Sequence, residues 1–400
     1  MQTKLTGTYN NIPEAQELKS ILQACVHCGF CNAVCPTYQI QGDELDGPRG
    51  RIYLLKKMLE GEYVSRQTQQ HLDRCLSCLA CETICPSGVK YGRLKDISQP
   101  ILEQKVSRPV LQKLVRYLIN QMLPYQNRFL WLMTLARLVK PVLPASLQQK
   151  IPDKQAIGNW PDPVHNRKMI ILTGCVQPTL APEIDLATAK VLDKCSISLL
   201  KIDSASCCGA LSYHLSDHQR ALDFARINID TCWPHIEQGI EAIVSTASGC
   251  GVMFKDYGRI LRNDPNYAEK AAKFSELVRD ISEIIVDENL SIFSKSNRPE
   301  IAFQAPCTLQ HGLKITGTVE TILERVGYRL VDVADQHLCC GSAGVYSILQ
   351  PQFSSQLLEN KLEALQRHSP EIIATANIGC LMHLQAKSQI SVVHWVLLLI

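Results

Sequence analysis

Two runs of cysteine near the N-terminus have the residue type and the spacing to hold iron. The first run, CVHCGFCNAVCP, contains Cys25, Cys28, Cys31 and Cys35. The second run, CLSCLACETICP, contains Cys75, Cys78, Cys81 and Cys85. Both follow the pattern C-x2-C-x2-C-x3-C-P, in which the fourth cysteine of one run ligates the cluster of the other run. The pattern predicts two neighbouring [4Fe–4S] clusters.

This crossed pattern also predicts which thiolates hold each cluster. We expect one [4Fe–4S] cluster on Cys25, Cys28, Cys31 and Cys85. We expect the other on Cys75, Cys78, Cys81 and Cys35. Two structural zinc sites are the alternative, but zinc usually takes two C-x2-C pairs and leaves the third and fourth cysteines of each run unexplained. Two adjacent clusters would serve as a relay for single electrons.

A second group of cysteines lies in the C-terminal half, where the sequence repeats. The strings SCCGA and LCCGS each contain an adjacent pair of cysteines, and the second pair follows the first by 132 residues. In each copy one cysteine precedes the pair by 32 residues and another follows it. The matched sets are Cys175, Cys207, Cys208 and Cys250, and Cys307, Cys339, Cys340 and Cys380.

Four interpretations of these matched sets compete. Each set would hold a further iron–sulfur cluster or a zinc ion, act as redox-active thiols, or pack as small apolar side chains. The packing interpretation predicts unmatched positions, as at Cys195 and Cys232, and does not predict four matched thiols. We therefore expect a metal or a cluster in at least one copy. His311 and His383 follow the first and last cysteines of the second set and are candidate further ligands.

The segments between these cysteines predict the elements that position them. Short apolar runs alternate with helical patterns such as LATAKVLDK and VETILERV, so each copy is predicted as strand, helix, strand, helix, strand. This alternation favours a mostly parallel sheet covered by helices, with ligands at the carboxyl ends of the strands. The predicted fold class is α+β overall: an N-terminal α-helical two-cluster ferredoxin-type domain, then two repeated α/β domains. The apolar tail ISVVHWVLLLI is predicted to be a buried terminal strand or helix.

The cysteine distribution predicts four segments: 1–100, a helical connector over 101–164, 165–290 and 297–400. Residues 101–154 contain nine Lys or Arg and two acidic residues. Helical periodicity in LQKLVRYLINQML and FLWLMTLARLVK makes this a basic amphipathic stretch. Three interpretations stay open: a solvated connector, contact with an anionic membrane surface, or docking on an acidic partner.

Composition limits the class of protein. The hydrophobic fraction of 46% and the charged fraction of 20% indicate a globular chain, and a net charge of +3 gives no sign of nucleic-acid binding. The first twenty residues lack the apolar stretch of a secretory signal, so we expect a reducing, cytoplasmic location in which the 18 cysteines serve metal or redox chemistry. No run is long enough for a transmembrane helix. Arg49 and Arg51 follow the first cysteine run and are candidates to tune a negatively charged cluster.

Longer strings around these motifs resemble a known family. They include ACVHCGFCNAVCPTYQIQGDELDGPRGRIYLLK, HLDRCLSCLACETICPSGVKY, ASCCGALSYHL and HLCCGSAGVY. They are similar to the iron–sulfur subunits of membrane-associated flavin dehydrogenases and, within that group, to the glycolate oxidase (glycolate dehydrogenase) iron–sulfur subunits with paired CCG domains. The resemblance implies a subunit of an oxidoreductase complex with no catalytic residue for glycolate. It would take electrons from flavin-bearing partners that form glyoxylate and pass them to a quinone at the cytoplasmic face of the inner membrane.

One departure from related proteins limits what the resemblance implies. Related heterodisulfide-reductase subunits end each CCG motif with C-x-x-C, whereas Met253 and His383 stand at the second cysteine position here. Four thiols remain in each copy, enough for an ordinary four-ligand site. A thiol/disulfide enzyme therefore stays an alternative, as does the equivalent subunit of a dehydrogenase for D-lactate or another 2-hydroxy acid.

Overall fold

The computed structural model describes residues 2–144, 148, 151–155, 158–162, 164–202 and 205–400. A helical N-terminal domain leads through a helical connector into two α/β domains, each with a four-stranded sheet. The predicted α+β fold class is thereby confirmed.

Short helices surround two cysteine loops in the N-terminal domain. They are α1 (Gly7–Asn10), α2 (Ala15–Ala24), α3 (Phe30–Ala33), α4 (Pro36–Gln41), α5 (Pro48–Leu59), α6 (Arg66–Asp73), α7 (Ala80–Thr83) and α8 (Tyr91–Lys105). Leu18 and Leu22 are one helical turn apart on α2, so both face inward. Together with Leu59 of α5 and Leu94 of α8 they are fully buried and form the core that holds the cysteine loops.

The connector contains α9 (Val110–Met122), α10 (Gln126–Val139) and a 3₁₀ turn over Lys140–Val142. Both helices coincide with the helical patterns predicted from the sequence. The predicted boundary after residue 100 falls inside α8, because Leu102 and Val106 still pack into the N-terminal core. Among the described residues, no helix is both long and apolar enough to cross a bilayer.

In the first α/β domain, four parallel strands have the order β2-β1-β3-β4. The strands are β1 (Arg167–Ile171), β2 (Ile197–Lys201), β3 (Ala242–Ser245) and β4 (Val278–Asp280). The helices are α11 (Gln177–Leu180), α12 (Glu183–Lys194), α13 (Ala210–His214), α14 (His218–Glu237), α15 (Ser248–Lys255), α16 (Tyr257–Ile260), α17 (Ala268–Leu277) and α18 (Ile281–Ile285). A 3₁₀ turn over Leu290–Phe293 ends the domain. The predicted limit at residue 290 falls on this turn, whose Phe293 packs into the core.

The second α/β domain repeats this topology, with four parallel strands in the order β6-β5-β7-β8. The strands are β5 (Glu300–Gln304), β6 (Arg329–Leu330), β7 (Ile372–Thr375) and β8 (Ser391–His394). The helices are α19 (Thr318–Arg325), α20 (Tyr346–Leu349), α21 (Pro351–Gln366) and α22 (Ile378–Gln385), with a π-helical turn at Thr308–Gly312 and a 3₁₀ turn at Trp395–Leu399. The tail is thus a buried strand and turn, as predicted.

One continuous apolar core joins the two α/β domains. Ile184 and Leu192 of α12 belong to the same buried cluster as Trp395 and Val396 from the end of the chain. His394 adds a polar link, because its Nε2 donates to the carbonyl oxygen of Thr246 over 2.9 Å. The carboxyl ends of the two sheets are therefore held in a fixed relation to each other.

Candidate metal centres

The first thiol-lined cavity lies beside the loop between α2 and α3. Cys25, Cys28, Cys31 and Cys85 line this cavity. His27 and Gly29 have left-handed φ angles of 58° and 86°, which curl the loop around the cavity. A Cβ on Gly29 would lie 2.8 Å from Nη1 of Arg49, so glycine leaves room for that guanidinium at the cavity wall.

The second cavity repeats this construction at the loop between α6 and α7. Cys35, Cys75, Cys78 and Cys81 line this cavity. Ser77 and Leu79 have left-handed φ angles of 55° and 64° although neither is glycine. A left-handed backbone at a residue other than glycine costs about 1 kcal/mol or more of folding free energy, so the surrounding packing must hold the loop in this conformation. The structure brings together the two crossed sets of four thiols that the spacing predicts, and Cys81 borders the first cavity as well.

A buried arginine forms part of the wall of the second cavity. Arg51 is 1% exposed, and its Nε donates to the carbonyl oxygen of His71 over 2.8 Å. Its Nη2 lies 3.6 Å from a carboxylate oxygen of Asp46 but has no hydrogen-bond partner among the residues that the structure describes. Burial opposes the charge, yet Cys75, Tyr91 and Cys35 hold the pKa of Arg51 above its usual value. An orphaned buried cationic donor beside four thiols fits a negatively charged group such as an iron–sulfur cluster.

Burial raises the pKa of four thiols at these cavities, those of Cys25, Cys31, Cys78 and Cys81. Burial raises the pKa of Cys31 to about 11, and those of Cys78 and Cys81 rise well above the usual value for the same reason. Cys75 differs: burial opposes its ionisation, but Lys95 and Arg51 lower its pKa to about 7. Because thiolates are the metal ligands, binding of a cation here would displace protons.

The first CCG set is assembled from the carboxyl ends of three strands. Cys175 follows β1, the pair Cys207 and Cys208 follows β2, and Cys250 lies on α15 after β3. The Sγ atoms of Cys207 and Cys175 are 3.6 Å apart, and the N–H of Gly209 donates to Cys207 Sγ over 3.4 Å. Hydrogen bonds from the thiols of Cys207 and Cys250 lower the pKa of Cys208 well below its usual value. The four thiols are thus linked by pairwise contacts, from Cys175 to Cys207, from Cys207 to Cys208 and from Cys208 to Cys250.

The second CCG set has the same arrangement. Sγ of Cys307 is 3.8 Å from Sγ of Cys339, and Sγ of Cys340 is 3.4 Å from Sγ of Cys380. The N–H of Gly341 donates to Cys339 Sγ over 3.4 Å, as in the first set. Hydrogen bonds from Cys339 and Cys380 lower the pKa of Cys340. All eight cysteines of the two CCG sets are free thiols. The adjacent cysteines of each pair therefore form no disulfide with each other.

The two candidate histidine ligands have different surroundings. His311 places Nδ1 3.0 Å from the hydroxyl of Thr83 and donates through Nε2 to the carbonyl oxygen of His337 over 3.1 Å. Both of its ring nitrogens are occupied, so the structure does not support His311 as a ligand. His383 lies 3.2 Å from the hydroxyl of Ser354 through Nε2 and contributes to the low pKa of Cys340. His383 therefore stays a candidate beside the second set.

Sequence reasoning missed several residues that support these thiols. His214 contributes to the low pKa of Cys208. It lies only six positions after that cysteine, so its closeness in the sequence could have indicated this role. Asn228 donates to the carbonyl oxygen of Cys207 over 3.0 Å and accepts from the N–H of Ser206 over 2.8 Å. Lys95 of α8 donates to the carbonyl oxygen of Cys75 over 3.1 Å. Asn228 and Lys95 come from distant helices and carry no local signal.

The second cavity adjoins the second CCG set. Cys78 and Cys307 both pack against one buried apolar cluster that contains Leu76, Tyr346 and Phe353. Burial and then the charge of Cys307 raise the pKa of Cys78, so the two sulfurs lie within electrostatic reach. The hydroxyl of Tyr346 fixes the domains together by donating to the carbonyl oxygen of Arg74 over 2.9 Å.

The first cavity lies at the surface of the protein. Cys28 is exposed, and the flanking Val26 and Phe30 are 68% and 60% exposed. Since the second cavity neighbours the first, the thiol sites form a row from the surface to the second α/β domain.

Comparisons with known proteins agree with this architecture. The family described as 4Fe-4S dicluster domain matches residues 21–89, and the family described as cysteine-rich domain matches 169–255 and 301–385. A hypothetical protein from Helicobacter pylori has a similar structure, with a TM-score of 0.57 and 11% identity over 97% of this chain and 72% of that chain. This likeness concerns the fold alone.

Curated relatives identify the family. The glycolate oxidase iron-sulfur subunit of Escherichia coli (strain K12) is 49% identical over 99% of this chain and 98% of its own length. The probable glycolate oxidase iron-sulfur subunit of Bacillus subtilis (strain 168) is 28% identical over 90% of this chain and 88% of its own length. Lactate utilization protein A of an Exiguobacterium strain is 26% identical over 53% of this chain and 86% of its own length. With its crossed cysteine runs, its paired CCG sets and this full-length similarity, the chain belongs to the family of glycolate oxidase iron–sulfur subunits.

Proposed function

We propose that the chain is the electron-transfer subunit of a membrane-associated glycolate dehydrogenase. In this proposal flavin-bearing partner subunits oxidise glycolate to glyoxylate, and the chain passes their electrons to a quinone-type acceptor at the cytoplasmic face of the inner membrane. The observation that carries the proposal is the pair of neighbouring cavities with crossed thiol sets, one of them open at the surface. The Escherichia coli relative supports the choice of substrate.

We propose that the eight N-terminal cysteines hold two [4Fe–4S] clusters in the crossed sets described above. Such clusters, when bound, supply one-electron redox chemistry. Arg49 at the first cavity and Arg51 at the second place one guanidinium beside each set, where it would offset negative charge. Each CCG set has four thiols linked by pairwise contacts, which suits a further cluster or a zinc ion.

The lining of the two cavities supports a role in electron transfer over one in glycolate chemistry. Within the described part of the chain, no carboxylate lines either cavity. The side chains there are thiols, apolar groups, Arg49, Arg51, His27, Tyr91 and a few hydroxyls. Oxidation of a 2-hydroxy acid needs a base for the hydroxyl proton and an acceptor for two electrons. We assign both to the flavin-bearing partners.

The experiment that tests the proposal compares the anaerobically purified chain with its complex with the flavin-bearing subunits. We expect about eight irons per chain from the N-terminal sets, and more where a CCG set holds a cluster. Glycolate should reduce the clusters, monitored by EPR, only in the complex. Glycolate-dependent dye reduction by the chain alone would contradict the proposal.

A second candidate function keeps the electron-transfer role and changes the substrate. The similarity to lactate utilization protein A favours D-lactate or another 2-hydroxy acid as the alternative. Cluster reduction by D-lactate but not glycolate, in the same complex, would select this alternative. A thiol/disulfide enzyme is less well supported, because Met253 and His383 stand where a fifth thiol would complete each CCG motif. Disulfide turnover by the isolated chain would revive it.

A further inference from the structure

One side of α9 presents large apolar side chains to solvent. Val110, Leu111, Leu114, Tyr117 and Leu118 are 49% to 84% exposed. Their spacing of three, four and seven positions places them in one stripe along the helix. Ile119 is 8% exposed and packs inward, so the helix is anchored by a different side. A surface helix usually turns its apolar side toward the core, whereas α9 exposes this apolar stripe to solvent.

The next helix has the same feature. On α10 and the turn after it, Trp131, Leu135, Leu138 and Val142 recur at helical spacing and are 44% to 84% exposed, while Phe129 is 5% exposed. Among the described residues, 12 of the 23 large apolar side chains that are exposed lie between positions 110 and 142. Isolated exposed apolar residues are ordinary, but a concentration of this kind marks an interaction site.

The charged residues of the sequence segment that carries the stripes have one sign. The sequence contains no acidic residue between Glu103 and Asp153 but eight Lys or Arg. Lys105, Lys113 and Arg128 are exposed. Arg108 does not add to the surface charge, since it is buried in ion pairs with Asp73 and Glu103. Lys105, Lys113 and Arg128 therefore give this segment exposed positive charge, which is complementary to an anionic surface.

We propose that α9 and α10 lie in the surface of an anionic lipid bilayer, with the two stripes inserted among the lipids and Lys105, Lys113 and Arg128 at the headgroups. This inference rests on the membrane association proposed above and names the element and the lipid class that provide it. Ten of the twelve exposed side chains are Leu or Val and two are Tyr117 and Trp131. Leucine and valine are under-represented at protein–protein hot spots, whereas leucine and tryptophan with flanking Lys and Arg are typical of interfacial helices.

The test is sedimentation of the full chain with vesicles of phosphatidylglycerol and phosphatidylcholine, compared with phosphatidylcholine alone. We expect binding to the anionic vesicles, weakened by salt because the attraction is partly electrostatic. Two double variants, Leu111→Gln with Leu114→Gln and Trp131→Gln with Leu135→Gln, should abolish it. The matched control, Ile227→Gln with Ile292→Gln, changes side chains that are 45% and 44% exposed outside the stripes and should bind like the unmodified chain.

Charge variants test the second part of the inference. Lys113→Gln and Arg128→Gln should each weaken binding to the anionic vesicles by about fivefold and leave the weak binding to neutral vesicles unchanged. Iron content and melting temperature should be unchanged in every variant, because all the substituted residues are exposed.

The outcomes separate this inference from the proposed function. An unmodified chain that stays in solution with anionic vesicles, or stripe variants that sediment like the control, would overturn the inference. Stripe variants that bind vesicles normally but no longer join the flavin-bearing subunits would show that this face docks a protein instead. Glycolate-dependent reduction of the clusters in the complex tests the proposed function separately from vesicle binding. If glycolate failed to reduce the clusters while the chain still bound anionic vesicles, only the proposed function would be overturned.

Discussion

Nη1 of Arg51 lies 3.9 Å from Sγ of Cys35 at the wall of the second cavity, on a side chain that water hardly reaches. The carboxylate of Asp46, fully buried, lies 3.6 Å from the same guanidinium and also accepts from Arg74 over 2.7 Å. Two cations therefore share one buried carboxylate, which leaves net positive charge beside the thiol set. That charge would stabilise the more negative, reduced form of a cluster held there.

The first prediction follows from this charge. Arg51→Gln should lower the reduction potential of the cluster in the second cavity by on the order of 100 mV, because a buried unit charge is removed from its edge. Redox titration monitored by EPR measures the shift. Arg49→Gln is the control: Arg49 lines the first cavity and is 36% exposed, so the second cluster should keep its potential. Equal potentials in Arg51→Gln and the unmodified protein would refute the role of Arg51.

The second prediction concerns the crossed ligand sets. Cys28→Ser and Cys78→Ser should each lose about four of about eight N-terminal irons, from different clusters, and destabilise the N-terminal domain, because cluster binding and folding are coupled. Iron and sulfide quantification measures the loss. Cys195→Ser is the matched control, since Cys195 lies at the end of α12 away from both cavities. Full iron content in both ligand variants would show the assignment to be wrong.

The cysteine sets could be predicted from the sequence because their spacing is itself the chemical signal. The runs around Cys28 and Cys78 are local, and the repeat placed the CCG sets after predicted strands, where the structure has them. The same repeat also predicted that the C-terminal half forms two similar parallel sheets. The strand β4 was missed because Val278–Asp280 spans three residues, too few to show an alternating pattern.

The surroundings of the sites were less predictable. Lys95 reaches Cys75 from α8, and Asn228 reaches the first CCG turn from α14. Neither has a distinctive neighbour in sequence, because tertiary packing alone brings it to its site. His311 shows how tertiary packing changes the surroundings of a residue: it lies four residues after Cys307, yet its ring contacts Thr83 of the N-terminal domain and the backbone of His337.

The third prediction concerns the glycine of the second CCG turn. Gly341 has a φ of 89°, and a Cβ there would lie 2.7 Å from the carbonyl oxygen of Ser354. Gly341→Ala should therefore destabilise the protein by about 3 kcal/mol and disturb metal binding by the second set. Gly317→Ala is the control, because Gly317 has a φ of 73° but open space around it, so it should cost only about 1 kcal/mol. Chemical denaturation measures both, and equal losses would contradict the steric argument.

The fourth prediction concerns the contact between the second cavity and the second CCG set. Cys307→Ser should alter the EPR spectrum and the potential of the cluster held near Cys78, because both sulfurs pack against the same buried cluster. The matched change in the first set, Cys175→Ser, should leave that spectrum unchanged, since Cys175 packs in a separate apolar cluster. Identical spectra in the two variants would mean that the second cavity and the second CCG set are electronically independent.

The last prediction is a pH dependence of stability at the junction of the two α/β domains. Burial of the fully enclosed ring lowers the pKa of His394 to about 4, although the hydrogen bond that Nε2 donates to Thr246 acts in the opposite direction. Nδ1 accepts the N–H of Val396 over 3.3 Å. A proton on Nδ1 would break the second of these bonds.

Because the folded-state pKa of His394 lies below the unfolded value of about 6.5, the unfolded chain binds more protons as the pH falls. The stabilising contribution is complete above pH 6.5 and is lost as the pH falls toward 4, by up to about 3 kcal/mol. The free energy of unfolding, measured at pH 7.5 and pH 5, should therefore fall less in His394→Gln than in the unmodified protein. The exposed His368 provides the control: His368→Gln should keep the full pH dependence. If the free energy of unfolding fell equally between pH 7.5 and pH 5 in all three proteins, another group would control the acid sensitivity, and the thiol sites, which all three share, would be tested next.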